Sequence, residues 1–180
     1  VADALFVAGA WHTLQESRRA RYAEARRTTR NLAQVLGENL DGTVQLVDFA
    51  LSEAKHELER ELARGGTDAA IVEPLLLRLY TQLPFVDAIR TANVDGKVVH
   101  GIGLPGPRTV DVSDRDYFRR ARELPGVDMV ISEPLVSRIT GKRSLAFARR
   151  LDGPDGHFAG VVYAVVQLEQ FTRTLSRVKV

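Results

Sequence analysis

The residues best suited to hold a small molecule lie in one connection: Arg115, Tyr117 and Phe118, within the run Asp114-Arg115-Asp116-Tyr117-Phe118. A guanidinium fork binds a carboxylate through two parallel hydrogen bonds, and neighbouring rings add an apolar wall and, from tyrosine, a hydroxyl donor. The run opens a helix, where unpaired backbone N–H groups add attraction for an anion. The competing account is that Arg115 pairs with Asp111 or Asp114 at the surface while the aromatics pack the helix down. The sequence leaves both open.

A second set comes from the C-terminal third. Alternation along Arg143–Leu151 puts Leu145, Phe147 and Arg149 on one face and Ala146, Ala148 and Arg150 on the other. One of these arginines then lies beside apolar side chains and needs a counter-ion, from an internal carboxylate or from a ligand. Arg149 is the expected ligand contact. Tyr163 lies among valines in GVVYAVVQL, and a buried tyrosine hydroxyl takes a partner from the backbone or from a ligand. Ser132 completes the candidate set.

Other chemistries find no footing. His12, His56, His100 and His157 are too scattered for a metal-ligand pattern, with His100 and His157 expected at strand ends, so no metal site is expected. The chain has no G-x-S-x-G, H-E-x-x-H, P-loop or glycine-rich dinucleotide fingerprint. The run GIGLPG at 101–106 follows a strand and contains Pro105, which makes it a loop over the sheet. Neither catalysis nor a cofactor is expected. The net charge is only +2 and the basic residues are spread out, which argues against a nucleic-acid partner. With no cysteine, disulfides and thiolate chemistry are excluded, a composition compatible with an oxidising compartment.

These groups need a scaffold, and 180 residues, 44% of them hydrophobic, suffice for one core. No proline occurs from Arg18 to Arg64, and apolar residues recur every three or four positions from Leu32 and Leu36 through Val47, Leu51 and Leu58 to Leu62. The period predicts an amphipathic helix of thirty residues or more, ended by Gly65-Gly66. That length suggests a stalk, at 18–64, that reaches beyond its own domain and pairs with a second copy. Before it, at 1–17, stands an apolar stub whose longest run, Ala4 to Trp11, is too short to span a bilayer. Followed by Arg18, Arg19 and Arg21, it reads either as the outer end of a membrane helix or as a helix start packing on its own domain.

After the stalk, the 65–180 module begins with a helix at Asp68–Gln82 that Pro74 disturbs. Strands at Phe85–Val94 and Lys97–Gly103 flank a hairpin signal, Asp95-Gly96. A helix at Asp114–Glu123 follows, with Ser113 and Asp116 as its capping box. Strands at Met129–Val136, Arg143–Leu151 and His157–Leu168 come next, then a final helix at Glu169–Arg177. The fold class is therefore α+β: a five-stranded antiparallel PAS-like sheet packed on a long N-terminal helix.

Three runs carry a family resemblance: DVSDRDYFRRA at 111–121, ISEPLVSRITGKRSLAFARRL at 131–151 and DGHFAGVVYAVVQLEQF at 155–171. Together they resemble the Cache family, the PAS-like extracytoplasmic sensor domains of bacterial histidine kinases, chemoreceptors and diguanylate cyclases. The chain is most similar to the membrane-distal module of double-Cache sensors, and 26–51 is similar to the stalk that leads into them. The resemblance implies a domain on the periplasmic or extracellular side of the inner membrane. It implies a small-molecule ligand held between the sheet and the connection before its third strand, a homodimer paired through the long helix, and membrane attachment through segments outside the chain. A ligand-free dimerisation module is the alternative. In members that bind amino acids, an R-x-aromatic-aromatic run holds the ligand carboxylate, matched here by Arg115, Tyr117 and Phe118. An aspartate on the last strand holds the amine, and Val165 stands in that position, so a plain carboxylate fits the pattern better than an α-amino acid.

Overall fold

The computed structural model describes residues 41–104 and 110–169. The stub at 1–17, the stalk before residue 41 with Leu32 and Leu36, the loop after Leu104 as far as 109, and the final helix beyond Glu169 lie outside the described residues.

Helix α1 occupies 41–63 and is 23 residues long, against the thirty or more expected, the rest of that span falling before residue 41. Its buried side chains, Val47, Ala50, Leu51, Ala54 and Leu58, follow the three-and-four spacing of one helical face. Helix α2, Ala69–Gln82, is capped by Asp68, whose carboxylate accepts from the Ala70 N–H at 2.9 Å. It runs through Pro74 without breaking and buries Val72, Leu76 and Leu79.

The sheet is antiparallel and has six strands, not the five expected: β1 Ala88–Asn93, β2 Val98–Gly101, β3 Val130–Ile131, β4 Leu135–Val136, β5 Arg143–Asp152 and β6 Phe158–Gln167. Their order is β2-β1-β6-β5-β3, with β4 also on β5. The extra strand comes from a break in the segment expected at 129–136. There Ser132 uses its own N–H and hydroxyl to bond Ala146, at 2.8 and 2.9 Å, and Pro134 has no N–H to offer. Between β1 and β2 the chain turns through four residues, because the Asn93 side chain accepts from the Lys97 N–H at 2.9 Å and Gly96 adopts a φ of 78°.

Central β6 alternates strictly between the two faces. Val162, Ala164 and Val166 pack with Ile89 and Phe147 against α1 and α2, while Val161, Tyr163 and Val165 face helix α3, Asp116–Glu123. Helix α3 starts two residues later than expected. The Asp116 carboxylate accepts from the Glu133 N–H at 3.0 Å, and Ser113 is held in a turn by Asp111 at 2.9 Å, so Arg115 becomes the N-cap.

Candidate functional site

On the α3 side of the sheet, the connection into α3, the 135–139 segment and the central strands line a partly open cavity of about 30 Å³. Its wall includes Arg90 from β1, Tyr163 and Val165 from β6, Ala146 from β5, Arg115 and Tyr117 from the start of α3, and Ser137 and Arg138 beyond β4. The sequence brings them together through register. Arg90 lies opposite Tyr163, and Ala146 opposite Val165, so all four point to the same side of the sheet.

The two tyrosine rings, Tyr117 and Tyr163, sit 5.3 Å apart at a tilt of 36°. Both are almost fully buried, and burial is the chief cause that raises the pKa of each hydroxyl, that of Tyr163 to about 12. The Tyr117 hydroxyl and the Arg90 guanidinium both direct hydrogens toward the Tyr163 oxygen. Arg115 takes neither of the aspartates considered for it. The Asp111 carboxylate is held by Lys97 at 2.5 Å and the Asp114 carboxylate by both terminal nitrogens of Arg138 at 2.7 Å, which lowers the pKa of each acid. Arg115 instead donates to the Val136 carbonyl at 2.9 Å, half-exposed at the cavity wall.

Of the six residues proposed from sequence, the structure brings Arg115, Tyr117 and Tyr163 to this cavity and places three elsewhere. Phe118 is fully buried edge-on to Phe158, ring centroids 5.4 Å apart, under α3. Ser132 is spent on the β5 backbone. Arg149 points to the opposite face of the sheet, because it shares the phase of Phe147. Its guanidinium donates to Asp48 of α1 at 2.7 and 3.1 Å, which supplies the counter-ion that burial requires. Arg150, on the cavity side, reaches Asp152 at 2.6 Å and the Arg122 carbonyl at 2.7 Å instead of the cavity. His100 lies within β2 beside Thr67, and His157 in the turn before β6.

Two cationic wall residues were not anticipated, Arg90 and Arg138. Arg138 follows an unremarkable loop pattern. Arg90 did leave a trace: in Ala88-Ile89-Arg90-Thr91-Ala92 a lone charge sits two residues from alanine on either side, as on a strand face with space around it.

No family model and no curated protein matches the chain. Solved structures are. The extracellular domain of rpHK1S-Z16, assigned as a histidine kinase, is 27% identical with a TM-score of 0.73, over 83% of this chain and 60% of that one. An extracellular ligand-binding receptor from Desulfohalobium retbaense gives 20% identity and a TM-score of 0.66, over 81% of this chain and 26% of that one. The ligand-binding domain of the Pseudomonas fluorescens chemoreceptor CtaA, in complex with L-valine, gives 20% and 0.58, over 82% and 63%. This chain thus spans less than two thirds of each.

Proposed function

We propose that this chain is a sensor domain of the Cache type, on the outer side of a bacterial membrane as part of a histidine kinase, chemoreceptor or diguanylate cyclase, and that it binds a small anionic metabolite without catalysing its conversion. The observation that carries the reading is the cavity on the α3 face, where arginines and a tyrosine pair converge and, among the described residues, no carboxylate side chain lines the wall. The shared fold with extracellular ligand-binding domains supports the location. The expected test result is a rise in Tm of this chain with at least one compound in a panel of metabolites, and no turnover of that compound. Arg115→Ala should weaken that binding roughly tenfold or more while the ligand-free melting curve stays close to the parent. Unchanged affinity would move Arg115 from the site to the scaffold.

The same reading includes pairing of two copies along α1. Leu46 and Phe49 support it, since they lie on the helix surface 56% and 73% exposed and turn away from the domain's own core. In the membrane-tethered receptor, cysteine placed by Phe49→Cys should give a disulfide-linked dimer under mild oxidation. Monomer alone would exclude pairing at this level of the helix.

A further inference from the structure

We infer that Arg90 is the anchor of the cavity and that its ligand is a small carboxylate carrying no ammonium group, an inference that rests on the cavity being a ligand site. Arg90 is only 2% exposed, and its Nε has no hydrogen-bond partner. The other two arginines of low exposure on the sheet each have an acid, Arg149 with Asp48 at 2.7 Å and Arg150 with Asp152 at 2.6 Å. Among the described residues no carboxylate lies within ion-pairing distance of Arg90. A guanidinium buried without a counter-ion costs stability, and this one lines the cavity.

The surroundings are shaped for that side chain. At Gly101, which pairs with Arg90 across β1 and β2 and has a φ of 137°, an added Cβ would stand 2.5 Å from Cγ of Arg90, so the absence of a side chain there leaves room for the Arg90 chain. The Tyr163 oxygen accepts from the Arg90 guanidinium and from the Tyr117 hydroxyl, which leaves its own O–H hydrogen to give to an anion beside Arg90. Burial raises the pKa of the Tyr163 hydroxyl to about 12, so it keeps that hydrogen at neutral pH. Of the other wall cations, Arg138 is paired with Asp114, while half-exposed Arg115 keeps donors to spare beside its bond to the Val136 carbonyl. An ammonium group would therefore meet three guanidinium groups and, among the described wall residues, no acid side chain, and Val165 offers it only hydrocarbon. At about 30 Å³ the space holds roughly two waters, or the head of a carboxylate of a few heavy atoms.

The test compares sodium propionate with its neutral and cationic shape analogues, propionamide and propylamine, and with alanine. Calorimetry and melting curves are run on the 180-residue chain, extended to other carboxylates of two to four carbons. The expected result is binding by one or more of the acids, with amide, amine and amino acid at least roughly tenfold weaker. Arg90→Met should abolish that binding and leave the ligand-free Tm equal or higher, because an unpaired buried charge is exchanged for hydrocarbon. If Arg90→Met does not fold, Arg90 is scaffold and the inference fails unless Tyr163→Phe, which removes one hydroxyl, folds and weakens the acid several-fold. Preferential binding of the amine, the amide or alanine, or full affinity in Arg90→Met, overturns the inference and leaves the sensor reading standing. Failure of every metabolite in the wider panel to bind overturns the sensor reading itself.

Discussion

Gly160→Ala is expected to lose roughly 3 kcal/mol or more of stability, from strain of about 1 to 3 kcal/mol at a disfavoured φ together with a backbone collision. Gly160 sits in β6 opposite Asn93 of β1 with φ at 145°, and a Cβ built there stands 2.1 Å from the Ala92 carbonyl oxygen. No flexible side chain is available to give way. Relief requires β1 to move off β6, and that carries Arg90 away from Tyr163. Gly156 is the internal control: its φ is 77°, but nothing lies within 4 Å of the added carbon, so Gly156→Ala should cost only about 1 to 2 kcal/mol, the conformational part alone. Urea denaturation of the two variants checks the contrast. Similar midpoints for both would mean that β1 and β6 are not in such close contact.

Phe118→Ala should destabilise the domain by about 3 to 5 kcal/mol, the range for deleting a fully buried ring, and lower Tm by roughly 10 °C. The ring is wholly enclosed beneath α3, edge-on to Phe158, within the cluster that includes Val130 and Ala148. Because Phe118 does not reach the cavity, whatever ligand the folded fraction binds should be held with nearly parental affinity. The opposite pattern, an intact melting curve with binding lost, would restore Phe118 to the site where the R-x-aromatic-aromatic run first placed it.

Much of the fold was legible because its signals are local. The three-and-four spacing located the buried face of α1, the Asp95-Gly96 turn located β1 and β2, and the expected strands at 143–151 and 157–168 lie within a residue of β5 and β6. The broken strand was less legible. Whether Pro134 ends pairing or merely occupies a strand edge depends on Ser132 meeting Ala146, fourteen positions on. The candidate site was legible in part for a related reason. Period two divides β5 into two faces without saying which one meets the helices, so Arg149 was assigned to the ligand although its partner, Asp48, lies 101 residues earlier. Arg90 went unrecognised because an arginine in a strand is usually a solvated edge residue. Only the opposing Tyr163 and the missing side chain at Gly101 reveal it as buried.

The two ends of the sheet have a further consequence, for how the chain behaves at high concentration. An open strand edge is a template on which other chains can pair, and long flat edges lead to fibrous aggregation. Here one end consists of β3 and β4, two residues each and separated by Pro134, so an incoming strand finds no continuous run of free N–H and carbonyl groups. At the other end β2 is only four residues long, and residues 110–112 close over it: the Val110 carbonyl accepts from the Val98 N–H at 2.9 Å and the Gly96 carbonyl from the Val112 N–H at 2.8 Å. Both margins are thus blunted by the connections that also wall the cavity, and the segments that shape the cavity also protect the sheet from growing into its neighbours.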